Sequence, residues 1–212
     1  ASDCMSLFDV PLHYQLLNAS DTNGNFDMRQ LFQGTLVEND PWHAVTFVDN
    51  HDTEPGQSLE SFVLPWFKSL AYALILLRID GLPCVFYGDL YGIPAKNIPA
   101  VAELPTLMKI RELYAYGEQH DYFDNPNVIG WTRSGNDGFS GSGLAVILSN
   151  QSGGSKRMYI GTNHAGKEFR DILGHITETV TIDNDGFGEF SCCDGSVSVW
   201  LEKSLKVKVS LD

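Results

Sequence analysis

The feature that most constrains this chain is a change of pattern near residue 117. Before it, apolar runs of strand length alternate with stretches of helical periodicity. After it, short β-branched and aromatic runs are punctuated by Gly-, Asn- and Ser-rich turns. Strand–helix alternation implies parallel strands, because a parallel pair cannot be joined by a hairpin and needs a crossover. Short strands separated by turn residues imply an antiparallel sandwich. The chain is therefore read as α/β plus all-β, divided at 1–117 and 118–212.

In the first segment Met5–Phe8, Ala44–Val48 and Cys84–Tyr87 read as strands, and Leu12–Ala19, Met28–Phe32 and Leu104–Tyr114 as helices. Ser58 is placed to cap a short helical stretch with Glu60 in its first turn, and Pro65 to start a helix running to about Arg78. The near-continuous apolar residues of Leu70–Leu77 predict that this helix is well buried. In the second segment Val128–Arg133, Leu144–Leu148, Arg157–Ile160, Thr179–Ile182, Glu189–Cys192 and Val197–Leu201 read as strands, and Lys203–Lys208 as a solvated end.

Composition narrows the function classes. Apolar residues make up 43% of 212, and charged residues 19%, which suits a folded chain. Twenty-seven acidic residues against 14 basic ones leave a net charge of −13. That argues against nucleic acid or an anionic membrane as a partner, since both reward clustered Lys and Arg. It leaves a neutral ligand such as a sugar open. Leu70–Leu77 is far short of the roughly 20 apolar residues that span a bilayer. The stretch Ala1-Ser2-Asp3-Cys4 lacks the basic and apolar regions of a secretory leader.

Cys4, Cys84, Cys192 and Cys193 show no CxxC spacing, which argues against a zinc ribbon or thioredoxin-like site. They read as free thiols of a reducing compartment, with Cys192 and Cys193 on opposite faces of a strand. His13, His43, His120, His164 and His175 lack paired ligand spacing, so no zinc site is expected.

The strongest local signal is Thr46-Phe47-Val48-Asp49-Asn50-His51-Asp52-Thr53, an apolar strand running directly into polar and ionisable residues. It can present a carboxylate and an imidazole to a cleft, or it can be a polar turn that caps the next helix. Asp9 and Asp89 also follow strands and read as turn or helix-cap residues. Trp66 and Tyr87 read as core-packing aromatics, with sugar stacking as the alternative.

The stretch Phe47-Val48-Asp49-Asn50-His51-Asp52 resembles the fourth signature region of the alpha-amylase family of glycoside hydrolases, in its bacterial liquefying or cytoplasmic type. Phe8–Tyr14, Gly34–Val37, Pro55-Gly56-Gln57, Trp66–Ala73, Val85–Gly92, Ile129–Arg133 and Gly195–Trp200 resemble the same family in the same order. The resemblance implies the last three β/α units of a (β/α)8 TIM barrel, strands six to eight, within 1–117. An antiparallel Greek-key β-sandwich would follow at 118–212. It implies the C-terminal portion of an enzyme that hydrolyses internal α-1,4-glucosidic bonds of starch, glycogen or maltooligosaccharides with retention.

Under the resemblance, Asp52 stabilises the transition state, His51 hydrogen-bonds the same sugar, and Asn50 and Gln57 support that subsite. The family's GFRLDAxKH-like motif, which carries the nucleophilic Asp, is not found, nor is the acid Glu after strand five. Both are expected outside this chain, which alone would be inactive. The alternatives are a non-catalytic glucan-binding or partner-associating module, or another glucan-acting family member such as a transglycosylase or maltooligosaccharide-forming enzyme. Open sheet edges would favour association with a missing N-terminal barrel segment or with a second copy. A cytoplasmic location is expected, with secretion as the alternative.

Some secreted relatives hold a calcium between barrel and sandwich. The matching positions here are the carbonyls of Gly24 and Phe26 and the side chains of Asn127 and Asn150. Carboxylates are usual at the last two, and neutral amides weaken a site whose affinity depends on ligand charge. No cofactor and no strong calcium site are therefore expected within this chain, with calcium left open for a complete enzyme.

Overall fold

The computed structural model describes residues 5–207. Cys4 and Lys208 lie outside that range. The first strand, β1 (Leu7–Phe8), leads into helix α1 (Val10–Asp21). Asp9 starts that helix: its carboxylate accepts from Leu12 N at 3.1 Å. It also accepts from Leu36 N and Val37 N, at 3.0 and 2.7 Å, the first residues of α2 (Leu36–Asn39). One buried carboxylate thus satisfies the free N–H groups of two helix starts, where the helix dipoles favour negative charge.

Strand β2 (Ala44–Phe47) pairs in parallel with β1 and with β3 (Leu82–Cys84), giving a three-stranded sheet in the order β1-β2-β3. A 3₁₀ turn at Pro65–Phe67 opens α3 (Lys68–Leu76), whose residues are buried almost throughout. After β3 come α4 (Tyr87–Tyr91) and α5 (Leu104–Tyr114).

Three local expectations change here. The last parallel strand lies at Leu82–Cys84 rather than Cys84–Tyr87, and Tyr87 begins a helix. Pro83 is tolerated because β3 is an edge strand, paired only with β2, where a missing N–H breaks no ladder. Ser58 caps no helix. Gln57 N and Glu60 N make three-residue turns to Glu54 O and Gln57 O, and Ser61 N reaches back to Thr53 O, so no i→i−4 ladder starts. Met28–Phe32 shrinks to a 3₁₀ turn at Met28–Gln30.

The second region is antiparallel. Strands β4 (Gln119–Tyr122), β5 (Val128–Arg133) and β6 (Leu144–Ser149) form a meander. β7 (Gly154–Tyr159), β8 (Glu168–Asp171), β9 (Thr179–Thr181), β10 (Phe187–Cys192) and β11 (Val197–Glu202) follow. The six-stranded order is β4-β5-β6-β11-β8-β9, with β7 and β10 as a separate pair. β11 lies between β6 and β8 and is antiparallel to both, although only residues 193–196 separate it from β10 of the other sheet. β4 and β8 escape sequence reading because they are polar, Gln-His-Asp-Tyr and Glu-Phe-Arg-Asp.

The six-stranded sheet is the middle layer. Ile129, Trp131, Leu144, Val146, Leu148, Val197, Val199 and Leu201 join one core with the apolar faces of α1, α3 and α5. The alternate residues Val128, Ala145, Ile147 and Trp200 join a second core with Met158 and Phe190 of β7 and β10. Polar side-chain bridges tie the regions together. Arg78, just beyond α3, forks onto Asp121 of β4 at 2.7 and 2.9 Å. His175 Nε2 lies 2.8 Å from Glu103 Oε1 at the start of α5.

Candidate functional site

The polar residues after β2 divide by depth. Asp49 is buried, Asn50 half-buried, and His51 and Asp52 are exposed. The turn that presents them is built by Asn50, whose Oδ1 accepts from Asp52 N at 2.8 Å and Thr53 N at 3.1 Å. Such an Asx turn is the local habit of Asn. Thr53 Oγ1 accepts from Asn50 N at 3.0 Å and donates to Asp49 Oδ1 at 2.8 Å, closing the turn onto its buried base. The stretch turns the chain but caps no helix, and its carboxylate and imidazole stand in solvent. His51 Nε2 sits 3.5 Å from Asp52 Oδ1.

Beneath the turn lies a buried charge network. Lys68 Nζ donates to Asp49 Oδ2 and to Asp89 Oδ1, each at 2.6 Å, and rests 3.5 Å from the Phe62 ring centroid. Tyr72 Oη donates to Asp89 Oδ2 at 2.6 Å. All four polar side chains are buried. Burial pushes the Asp49 carboxyl up to about 6, against the pull of the Lys68 ammonium and with the help of the Asp89 charge. Burial beside Asp89 likewise pushes the Tyr72 phenol far up.

Asp89 is therefore no turn or cap residue but half of a two-carboxylate cradle. The sequence held a signal for it. Lys68 is the one charge at the head of an otherwise apolar helix, and a buried ammonium needs a carboxylate partner.

His13 braces the same loop from α1. Its Nδ1 donates to Val48 O at 2.6 Å, its Nε2 lies 2.9 Å from Ser61 Oγ, and its ring stacks on Phe47 with centroids 5.1 Å apart. Desolvation holds its pKa below the usual 6.5. Gln57 stands on the outer arm of the loop, with Nε2 3.3 Å from Glu54 Oε1, and its side chain bonds to Glu54 rather than to Asp52. Lys96 anchors that arm by an ion pair to Glu54 at 2.7 Å.

The two aromatics expected in the core are not there. Tyr87 is 72% exposed and stacks on Tyr91 with centroids 4.6 Å apart. Trp66 is 37% exposed, donates from Nε1 to Ser20 O at 3.0 Å, and lies over Gly195. A cavity of about 660 Å³ lined by Leu12, Phe32, Thr46, Leu74, Arg78 and Asp121 includes none of residues 50–57. Of the vicinal thiols, Cys192 ends β10 and is buried, while Cys193 lies just beyond the strand and is exposed.

The four positions considered for calcium do meet. Asn127 Nδ2 lies 2.9 Å from both Gly24 O and Asn150 Oδ1, and Asn150 Nδ2 lies 2.8 Å from Phe26 O. No group of three or more His, Cys, Asp or Glu side chains suited to a metal occurs among the described residues.

The chain thus joins a small parallel sheet, with a polar loop at the C-terminal end of its central strand, to a mostly antiparallel sheet region, and comparison relates this arrangement to known proteins. Residues 144–201 match the family model described as "Alpha-amylase C-terminal". Over nearly its whole length the chain is related to the C-terminal portion of bacterial alpha-amylases. It is 56% identical over 204 residues to an alpha-amylase of Geobacillus stearothermophilus, covering 96% of this chain and 37% of that protein. A glucan 1,4-alpha-maltohexaosidase of Bacillus sp. (strain 707) is 56% identical over 199 residues, covering 93% and 38%. The cytoplasmic alpha-amylase of Escherichia coli (strain K12) is 47% identical over 206 residues, covering 92% and 41%. The chain thus spans about two fifths of the length of these curated relatives. In fold it is similar to the crystal structure of alpha-amylase I from Eisenia fetida, with a TM-score of 0.68 at 15% identity over 94% of this chain and 49% of that one.

Proposed function

We propose that this chain acts as the C-terminal portion of an α-glucan hydrolase of the alpha-amylase type. In this reading β1, β2 and β3 are strands six, seven and eight of a (β/α)8 barrel, residues 1–117 belong to the catalytic domain, and 118–212 form the sandwich domain. The observation that carries it is the loop after β2, where Asp52 and His51 stand in solvent on a turn anchored to a buried ion-pair network. Barrel active sites lie at that end of the strands.

Asp52 would accept hydrogen bonds from hydroxyls of the sugar under attack. Those bonds strengthen as positive charge develops at the anomeric carbon, so they favour the transition state over the ground state. His51 would donate to the same sugar. Asn50 holds the turn, and Gln57 would border the subsite. A retaining displacement also needs a nucleophile and an acid/base about 5 Å apart. Those roles belong to an Asp and a Glu of barrel strands outside these residues.

A specific observation supports association with such a segment. Leu7 and Phe8 on β1 and Leu82 on β3 are each about half exposed, and both strands are unpaired sheet edges. The names of the relatives support an α-glucan substrate. We propose cytoplasmic residence, on the free thiols Cys84, Cys192 and Cys193 and the cytoplasmic Escherichia coli relative.

Starch hydrolysis tests the reading. The 212-residue chain alone should be inactive. Adding an upstream barrel segment should restore hydrolysis, and Asp52→Asn should then reduce kcat by about 10²-fold or more. Activity of the chain alone would refute the placement of the nucleophile and acid, and an active Asp52→Asn would refute the role of Asp52.

A further inference from the structure

We propose that Asn127 and Asn150 close the junction between the parallel region and the sandwich as a cation-free amide clasp, holding the backbone that a calcium ion would otherwise hold. The inference does not depend on which sugar the loop after β2 binds.

The ladder of β5 and β6 places the two amides together. Val128 pairs with Ser149, so Asn127 and Asn150 flank the same end of the ladder. The chain also approaches from the parallel region at Gly24–Met28. Met28 N donates to Pro126 O at 2.7 Å, and Asn150 N donates to Asn127 O at 3.2 Å. Gly24 has φ +83, and a Cβ there would fall 2.6 Å from Asn150 O, so only glycine lets the two backbones come this close.

The donor pattern has one consistent solution. Gly24 O and Phe26 O can only accept, so each must face an amide nitrogen. Asn127 Nδ2 spends its two protons on Gly24 O and Asn150 Oδ1, and Asn150 Nδ2 gives one to Phe26 O. Reversing Asn127 would set its oxygen against two oxygens. Reversing Asn150 would set an oxygen against Phe26 O and a nitrogen against a nitrogen. Calcium wants six to eight converging oxygens and gains affinity from ligand charge. Here the amides carry no charge, and their protons point at the carbonyls. The residues present do not fit a calcium ion. They do its structural work directly, bridging positions 103 and 124 residues apart in the chain.

Thermal unfolding of the full chain, in calcium chloride and in EDTA, tests the clasp. The chain as it stands should give the same Tm in both. Asn127→Asp removes both donations and turns a carboxylate toward Gly24 O, so in EDTA it should lower Tm by about 2–8 °C. The double variant Asn127→Asp with Asn150→Asp should fall further in EDTA and regain Tm in calcium, because it assembles a charged oxygen set. Asn127→Ala should lower Tm equally in both media. A calcium-dependent rise in Tm of the unaltered chain that Asn150→Ala abolishes would overturn the proposal, as would an Asn127→Asp chain with unaltered Tm in EDTA.

Discussion

The two regions treat the apolar residues of their strands differently. In the antiparallel region every residue of β5 and β6 is buried, because helices cover one face of the sheet and the β7–β10 pair covers the other. In the parallel region the strand apolars Leu7, Phe8 and Leu82 are 52%, 56% and 50% exposed, while Asp9, Asp49, Lys68 and Asp89 are buried. A sheet built on apolar alternation is covered on both faces, on one by its own β7–β10 pair and on the other by helices of the parallel region. A region that hides its charges under a polar loop and leaves strand apolars outside is organised around that loop and around surface still to be covered.

The sharpest way to break this comparison is Lys68→Ala. It leaves two buried carboxylates without their shared cation and should cost about 3–5 kcal/mol in urea unfolding. A loss under about 1 kcal/mol would mean that the network is solvated and holds no loop. Next in size is a matched pair of apolar truncations. Ile147→Ala, in the second sandwich core, should cost about 2–5 kcal/mol through lost burial and the cavity left behind. Leu82→Ser, on the exposed edge, should stay within about 0.5 kcal/mol and reduce self-association on size exclusion. Equal costs at the two positions would erase the contrast between the regions.

The smallest effect is on pH. His13 and His164 are both held below 6.5 by desolvation. The unfolded chain takes up a proton at each as pH falls through 6.5, before the native state does. The contribution of these two histidines should therefore be full above 6.5 and decline below it, while Asp49, raised to about 6, opposes that decline as pH falls through about 6. His13→Gln should flatten part of that decline at some cost in absolute stability. An unchanged slope would mean that His13 does not titrate with folding.

Much of the fold could be read locally. The helix Leu104–Tyr114 and the strand Val128–Arg133 have the bounds their patterns predict, and Asp9 is the cap its position after a strand suggests. The loop at 49–53 was also legible, since an Asn in a polar cluster after a strand makes its own turn. What the residues could not announce alone were partners distant in sequence. Asp89 looks like any turn carboxylate until α3 brings Lys68 to 2.6 Å from it. Tyr87 looks like core until the turn into α4 leaves its ring in solvent.

By itself, then, the sequence determined the change from parallel strands with helices to short antiparallel strands, and the placing of His51 and Asp52 in a turn after a strand. These rest on periodicity, capping and turn preference, which act over a few residues. Only the tertiary structure decided that Asp49, Lys68 and Asp89 share one buried network, that β3 sits two residues early on an edge that tolerates Pro83, and that two asparagines grip carbonyls more than 100 residues away. Those outcomes depend on which side chains meet after the chain has packed, where an unpaired charge or N–H is expensive and a partner must be found through space.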